Sequence, residues 1–242
     1  AAIDPDASEL KVTVTPKTAA PAGISVSSDQ GVMPYEIKIE GIKADNDVVI
    51  PVVFYIGKNL KNVKVYHNTT EQIPNYGGED WESFGYNPNT GFLAVSPKSF
   101  SPFTVIYDIP AMTVDGVAYY DLTSAVTAAS EGSTITFCKS TSESMKLDLT
   151  APMELKGITF KALSGVSIHG LRFASTSAKT RLDLNNIKFE GISFTDRVVI
   201  GQDTSSYGLS KCTDITFDNC KFNLATSTEK YPDAIKRMGA TV

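Results

Sequence analysis

The chain has 242 residues, of which 42% are hydrophobic and 20% are charged, and its formal net charge is −5. This size allows one large or two ordinary domains with packed cores, and the composition excludes a disordered chain. The acidic balance excludes the basic field that nucleic acid requires, and no apolar run approaches the roughly 20 residues of a membrane-spanning helix.

The first 110 residues contain seven segments that alternate apolar with polar residues or are rich in β-branched residues. Pro, Gly, Asn and Asp separate them, as in turns. Seven short strands over this length predict an antiparallel, immunoglobulin-like β-sandwich for residues 1–110. The segments are LKVTVTP (10–16), GISVSSD (23–29), YEIKIEGI (35–42), DVVIPVVFYI (47–56), NVKVYH (62–67), GFLAVS (91–96) and FTVIYD (103–108).

Residues 75–87, NYGGEDWESFGYN, concentrate aromatic side chains. If Tyr76, Trp81 and Tyr86 are exposed, their flat faces could stack on sugar rings. The alternative is a hairpin whose aromatic residues pack onto the sandwich.

Several of these segments together resemble a β-sandwich module of secreted and surface-anchored bacterial proteins. The resemblance rests on NVKVYH, the segment around Trp81, NPNTGFLAV and KSFSPFTVIYD. The module often ends in a His-Phe-Ser-Pro-Phe pattern, and here Ser99 replaces the His. The resemblance implies a spacer or an adhesin-type domain, and it brings no catalytic residues with it.

A junction is expected at residues 108–111, and the clearest helix signal of the chain follows it. In residues 121–129 one face carries Leu122, Ala125, Val126 and Ala129, and Asp121 can cap the N-terminus. The next segment, STITF, returns to a strand pattern.

A motif of two apolar pairs recurs three times in the second half: VSIHGLRF (166–173), IKFEGISF (187–194) and ITFDNCKF (215–222). The alternation slips by one residue between the pairs, so both pairs face one interior only if the chain bends there. Gly170, Gly191 and Asn219 occupy the bend, and these residue types tolerate a left-handed conformation. The motif predicts corners stacked about 4.8 Å apart in a solenoid.

These corners resemble the right-handed parallel β-helix of pectate-lyase-like proteins. The lead-in VDGVAYYDLTSAVTAASEGSTITF (114–137) is similar to the start of β-helix regions in bacterial surface proteins, where a short helix caps the first coil. The resemblance implies a short right-handed parallel β-helix over residues 111–242, with an N-terminal capping helix. The motifs are typical of the fold and do not indicate an activity.

The outward positions of the motif place His169, Glu190 and Asp218 in one predicted column. Such a column could hold a uronic acid or a cation such as calcium. The alternative is the ordinary polar exterior of a solenoid, and no other cofactor or metal site is predicted. The three cysteines, Cys138, Cys212 and Cys220, show neither a disulfide framework nor metal-ligand spacing, so we expect free thiols.

The motif stops at Phe222, and two accounts of the following residues remain open. Residues 231–238 could form a helical cap, because Ala234, Ile235 and Met238 fall at helical spacing. Alternatively, the β-helix continues past Val242.

These observations favour a non-enzymatic, cell-surface or secreted bacterial protein that contacts polysaccharides or cell-surface glycans in adhesion. One alternative is the N-terminal portion of a carbohydrate-active β-helix enzyme, either a polysaccharide lyase or a glycoside hydrolase. Another is a structural stalk. The sequence shows no paired acidic motif and no Ser-His-Asp arrangement, so no catalytic residue is predicted.

Overall fold

The computed structural model of the chain is all-β, with one α-helix among the residues that it describes. Contacts divide the chain into two compact units, Ala1–Ile109 and Pro110–Val242. The described residues are 9–18, 22–41, 51–68, 71–73, 83–96, 102–147, 149, 151–173, 181–201, 210–224, 235–238 and 240–241.

The described strands of the first unit form two antiparallel sheets. One sheet has the order β1-β2-β8-β4-β5 and the other has the order β3-β7-β6 when the strands are numbered along the chain. These strands are β1 (Lys11–Pro16), β2 (Gln30–Glu40), β3 (Val52–Tyr55), β4 (Lys64–His67), β5 (Glu71–Ile73), β6 (Ser83–Asn87), β7 (Phe92–Ser96) and β8 (Phe103–Asp108).

The strand predicted at residues 23–29 is wrong. The Gln30 amide donates to the Ser27 carbonyl, and the Ser27 amide donates to the Gln30 side chain. Ser and Asp favour such turns because their side chains compete with the backbone for hydrogen bonds. The segment therefore turns into β2, which begins at Gln30.

One buried cluster fills the first unit and takes side chains from both sheets. Phe54, Leu93 and Val95 come from the three-stranded sheet, whereas Ile37 and Val105 come from the five-stranded sheet. His67 ends β4 and is buried against Phe103, with the ring centroids 4.5 Å apart.

The second unit begins with a hairpin and a short helix. Helix α1 (Leu122–Ala128) starts where predicted, because the Asp121 carboxylate accepts a hydrogen bond from the Ser124 amide at 2.7 Å. Leu122, Ala125 and Val126 of the predicted face are buried. Ala129, the fourth predicted member, is the C-cap residue and is only partly buried. The hairpin strands are β9 (Met112–Val114) and β10 (Val117–Tyr119).

The other described strands of the second unit stack in three parallel ladders. The first ladder contains β11 (Thr134–Phe137), β13 (Met153–Lys156), β14 (Thr159–Ala162), β17 (Leu182–Glu190), β20 (Ser210–Asp218) and β23 (Ala240–Thr241). The second contains β12 (Ser144–Lys146), β16 (Gly170–Phe173), β19 (Val198–Gly201) and β22 (Ile235–Met238). The third contains β15 (Ser167–Ile168), β18 (Ser193–Phe194) and β21 (Lys221–Phe222).

Two of the three predicted bends have the left-handed backbone. Gly191 has φ 67° and Asn219 has φ 52°, so the positive φ predicted at both positions is confirmed. Gly170, the third residue assigned to a bend, lies in β16 without a positive φ. Glycine is required at this position because a side chain has no room: an added Cβ would lie 2.7 Å from the Arg197 carbonyl oxygen.

The predicted register of the first motif copy is wrong as well. Phe194 and Phe222 are register partners, as predicted. Leu171 and Phe173, however, pair with Val198 and Ile200 in the second ladder. At the end of the chain, the helical cap predicted over 231–238 is wrong for Ile235–Met238, which form β22 beside β19; residues 231–234 lie outside the described part.

Candidate functional site

An ion-pair network covers the outer face of the first ladder. Register pairing places Lys161, Glu190 and Asp218 in one column across β14, β17 and β20. Lys161 Nζ lies 2.9 Å from Glu190 Oε1. Lys188 Nζ lies 2.8 Å from Glu190 Oε2 and 2.9 Å from Asp218 Oδ2. Each predicted carboxylate of the column therefore has a lysine partner.

These lysines control the protonation of Glu190. The hydrogen bond from Lys188, followed by that from Lys161, lowers the pKa of the Glu190 carboxyl from 4.5 to about 2. The same carboxylates raise the pKa of Lys188. Glu190 is therefore an anion at neutral pH and cannot donate a proton as a general acid would.

His169 does not join this column, contrary to the prediction. Eight positions separate Phe160 from Ile168, but five separate their partners Phe189 and Phe194. Because this turn is longer, the first copy of the motif is out of register with the second copy. His169 therefore lies beside residues 195–196 instead of beside Glu190.

The His169 ring lies between a hydroxyl and a carboxylate. Nδ1 is 3.3 Å from Thr195 Oγ1, and Nε2 is 3.5 Å from Asp196 Oδ2. The His169 amide also donates to Thr141 Oγ1 at 2.8 Å. These contacts hold the imidazole against the neighbouring turns.

The aromatic platform predicted in residues 75–87 is not formed by Tyr86. The Tyr86 hydroxyl donates to the Gly57 carbonyl at 2.8 Å and accepts from the Leu60 amide at 2.9 Å. The side chain packs against the core of the first unit, as in the alternative interpretation. Tyr76 and Trp81 lie outside the described residues.

A different aromatic pair is exposed on the three-stranded sheet of the first unit. Tyr55 and Phe92 are register partners on β3 and β7, and they are 53% and 47% exposed. Their ring centroids are 5.7 Å apart in an edge-to-face arrangement. Within the described part of the chain, no other aromatic side chain is comparably exposed.

Close packing positions the Tyr55 ring. A Cβ added to Gly91 would lie 2.5 Å from Tyr55 Cε2, so the ring lies directly over the Gly91 backbone. The sequence carried a signal for this pair: in VVFYI (52–56) both faces of the strand are apolar, although only Val52, Phe54 and Ile56 enter the core. Val53 and Tyr55 consequently face outward.

The cysteines are free thiols in the structure. Cys212 is buried, and burial raises the pKa of the Cys138 and Cys220 thiols. Among the described residues, no three His, Cys, Asp or Glu side chains are grouped as metal ligands. No helix within the described ranges is long and apolar enough to cross a membrane.

Comparison of the chain with protein-family models, with curated proteins and with solved structures finds no match. The proposed function therefore rests on the geometry of the molecule.

Proposed function

We propose that this chain is a non-enzymatic, extracellular or cell-surface protein of a bacterium that contacts glycans in adhesion. The observation that carries the proposal is the exposed pair of Tyr55 and Phe92. Large aromatic side chains left in solvent mark binding surfaces, and an aromatic face matches the C–H face of a sugar ring.

The small area of the pair favours a sugar over a protein partner. Two half-exposed aromatic side chains and Val53 offer roughly 300 Å² if each contributes about 100 Å². A standard protein interface takes about 800 Å² from each partner. The pair by itself matches a ligand the size of one or two sugar rings.

In the proposed architecture, the first unit is an immunoglobulin-like β-sandwich module and the second is a short right-handed parallel β-helix. Two antiparallel sheets that share one buried cluster support the first assignment. Three parallel ladders, with corners at Gly191 and Asn219, support the second. The proposed domain boundary lies at residues 110–111.

The ion-pair network weighs against Glu190 as the general acid of a glycoside hydrolase. Acid–base cleavage of a glycosidic bond needs a carboxyl group that holds a proton near neutral pH. Glu190, whose pKa is lowered to about 2, holds no proton near neutral pH. Asp218 is paired with Lys188.

The test is a glycan-array screen of the full chain, run with and without calcium, beside Tyr55→Ala and Phe92→Ala variants. We expect at least one glycan to bind, and each variant to weaken that binding about tenfold or more, equivalent to about 1.4 kcal/mol. Val12→Ala, which removes an exposed apolar side chain from β1 of the same unit, is the matched control.

Two results would refute the proposal: no binding to any glycan, or binding that both aromatic variants leave unchanged. Surface location is tested separately, by antibody labelling of intact cells of the source organism. Labelling that requires permeabilised cells contradicts it.

A further inference from the structure

The second unit carries a surface groove whose lining includes Thr141, the hydroxyl that accepts a hydrogen bond from the His169 amide. It follows the turn between β11 and β12, and its volume is about 370 Å³. This volume lies toward the lower end of the roughly 300–1,000 Å³ range of small-molecule sites. Its lining is Ala111 and the run Lys139–Met145, and we call it the 139–145 groove.

One wall of the groove is held in place by the neighbouring turn. The Ser167 amide donates to Ser140 Oγ at 3.0 Å, and the His169 amide donates to Thr141 Oγ1 at 2.8 Å. The Thr141 amide in turn donates to the Ser167 carbonyl. A hydroxyl that accepts one bond still has its own proton to donate. The wall is therefore preformed and keeps donor capacity.

Ser144 is positioned by the glycine that faces it. Ser144 and Gly170 are register partners, and a Cβ on Gly170 would lie 2.8 Å from Ser144 Oγ. Any side chain at position 170 would displace this hydroxyl. The requirement for glycine in IHGLRF, where Gly170 has no positive φ, thus has a local explanation beside the groove.

The groove combines four hydroxyl side chains, Ser140, Thr141, Ser142 and Ser144, with one cation and one anion. Lys139 and Glu143 cancel in charge, so the lining has no net attraction for an anionic ligand. Ala111 and Met145 add apolar surface. Hydroxyl groups next to apolar surface complement a ring that has hydroxyls at its edge and C–H groups on its face.

We infer that the 139–145 groove binds a neutral saccharide of one or two sugar residues. This site goes beyond the aromatic pair of the first unit, and the two sites share no residue. A positive or negative binding result at one site therefore does not decide whether the other site binds, and each site is tested with its own variants.

The first test is a titration of the isotope-labelled full chain with cellobiose, lactose and chitobiose, followed by amide NMR shifts. Digalacturonate is the anionic comparison. We expect saturable shifts confined to residues 139–145 and 167–170 for at least one neutral disaccharide, and weaker binding of digalacturonate. The inference is overturned if no neutral disaccharide saturates these shifts, or if digalacturonate binds more tightly.

The second test fills the groove. Ser142→Trp places an indole in the groove at an exposed position, and Ser164→Trp places the same side chain in an exposed turn of the same unit, outside the groove. We expect at least a tenfold loss of disaccharide binding for Ser142→Trp and no change for Ser164→Trp. Equal effects of the two variants would overturn the inference.

A Tyr55→Ala/Phe92→Ala double variant tests whether the groove binds independently of the aromatic pair. We expect it to keep the shifts at residues 139–145, because the pair lies on a sheet of the first unit. If the double variant abolishes these shifts while remaining folded, the groove is not an independent site and the inference fails.

Discussion

Phe189 and Phe217 stack with their ring centroids 4.7 Å apart and their planes 12° from parallel. They are register partners on β17 and β20, and their separation matches the spacing of neighbouring strands, about 4.8 Å. Phe160 continues the column on β14, at 5.1 Å from Phe189. The rings thus follow the hydrogen-bonded ladder and fill the interior of the second unit.

Removing the central ring should destabilise the second unit strongly. Phe189 is fully buried, and Phe189→Ala should cost about 3–5 kcal/mol because the cavity lies between two stacked rings. Chemical denaturation monitored by circular dichroism measures the loss. Leu163→Ala, at an exposed position of the same unit, should change stability by at most about 0.5 kcal/mol. Equal effects would contradict the stacked core.

The bend at Gly191 should tolerate asparagine better than valine. An added Cβ at Gly191 meets no atom within 4 Å, so the restriction comes from φ 67° and not from space. We expect Gly191→Val to cost about 1–3 kcal/mol, because a β-branched residue resists the left-handed region. Gly191→Asn should cost clearly less, since Asn219 occupies the equivalent bend. Thermal melting of both variants checks the order, and a reversed order would disprove the account.

The ion pairs of Glu190 should make stability depend on pH in a defined window. Its folded-state pKa, about 2, lies below its ordinary value of 4.5. The ionised form therefore stabilises the folded chain above about pH 4.5, and this contribution is lost as the pH falls toward 2. Because the pairs are exposed, the effect should be small and should weaken with salt.

Urea midpoints of the wild type and Glu190→Gln, measured across pH, test this dependence. The two proteins should differ above pH 4.5 and converge near pH 2. Glu9→Gln, at an exposed position near the start of β1, serves as the control. A difference for Glu190→Gln that stays constant across the window is inconsistent with the assignment.

The reactivity of the three cysteine thiols should reflect their burial. Denatured, unreduced protein should return three free thiols per chain, from Cys138, Cys212 and Cys220. In the native protein all three should react slowly with a thiol reagent near neutral pH, because Cys212 is buried and burial raises the pKa of the other two. Two missing thiols after denaturation would indicate a disulfide, and one fast native thiol would contradict the burial.

Local patterns were sufficient for helix α1, for six of the eight described strands of the first unit and for two of the bends. Asp121 predicted the start of α1 because capping depends on residues three positions apart. The slip of alternation at Gly191 and Asn219 predicted their positive φ, because side chains alternate between faces along a strand. The stacking of Phe194 on Phe222 followed from the same motif, since both copies have the same number of residues around the bend.

Tertiary structure alone decided which residues meet across the ladders. In the first copy, His169 and Gly170 match the motif in type, but the longer turn before them transfers Leu171 and Phe173 to another ladder. Register depends on the residues in each turn, and residue types do not reveal that number. The same limit applies to Tyr55 and Phe92. Alternation indicates only that Tyr55 faces away from its neighbours Phe54 and Ile56. The pairing of β3 with β7 places it beside Phe92, and sheet packing leaves this face open to solvent.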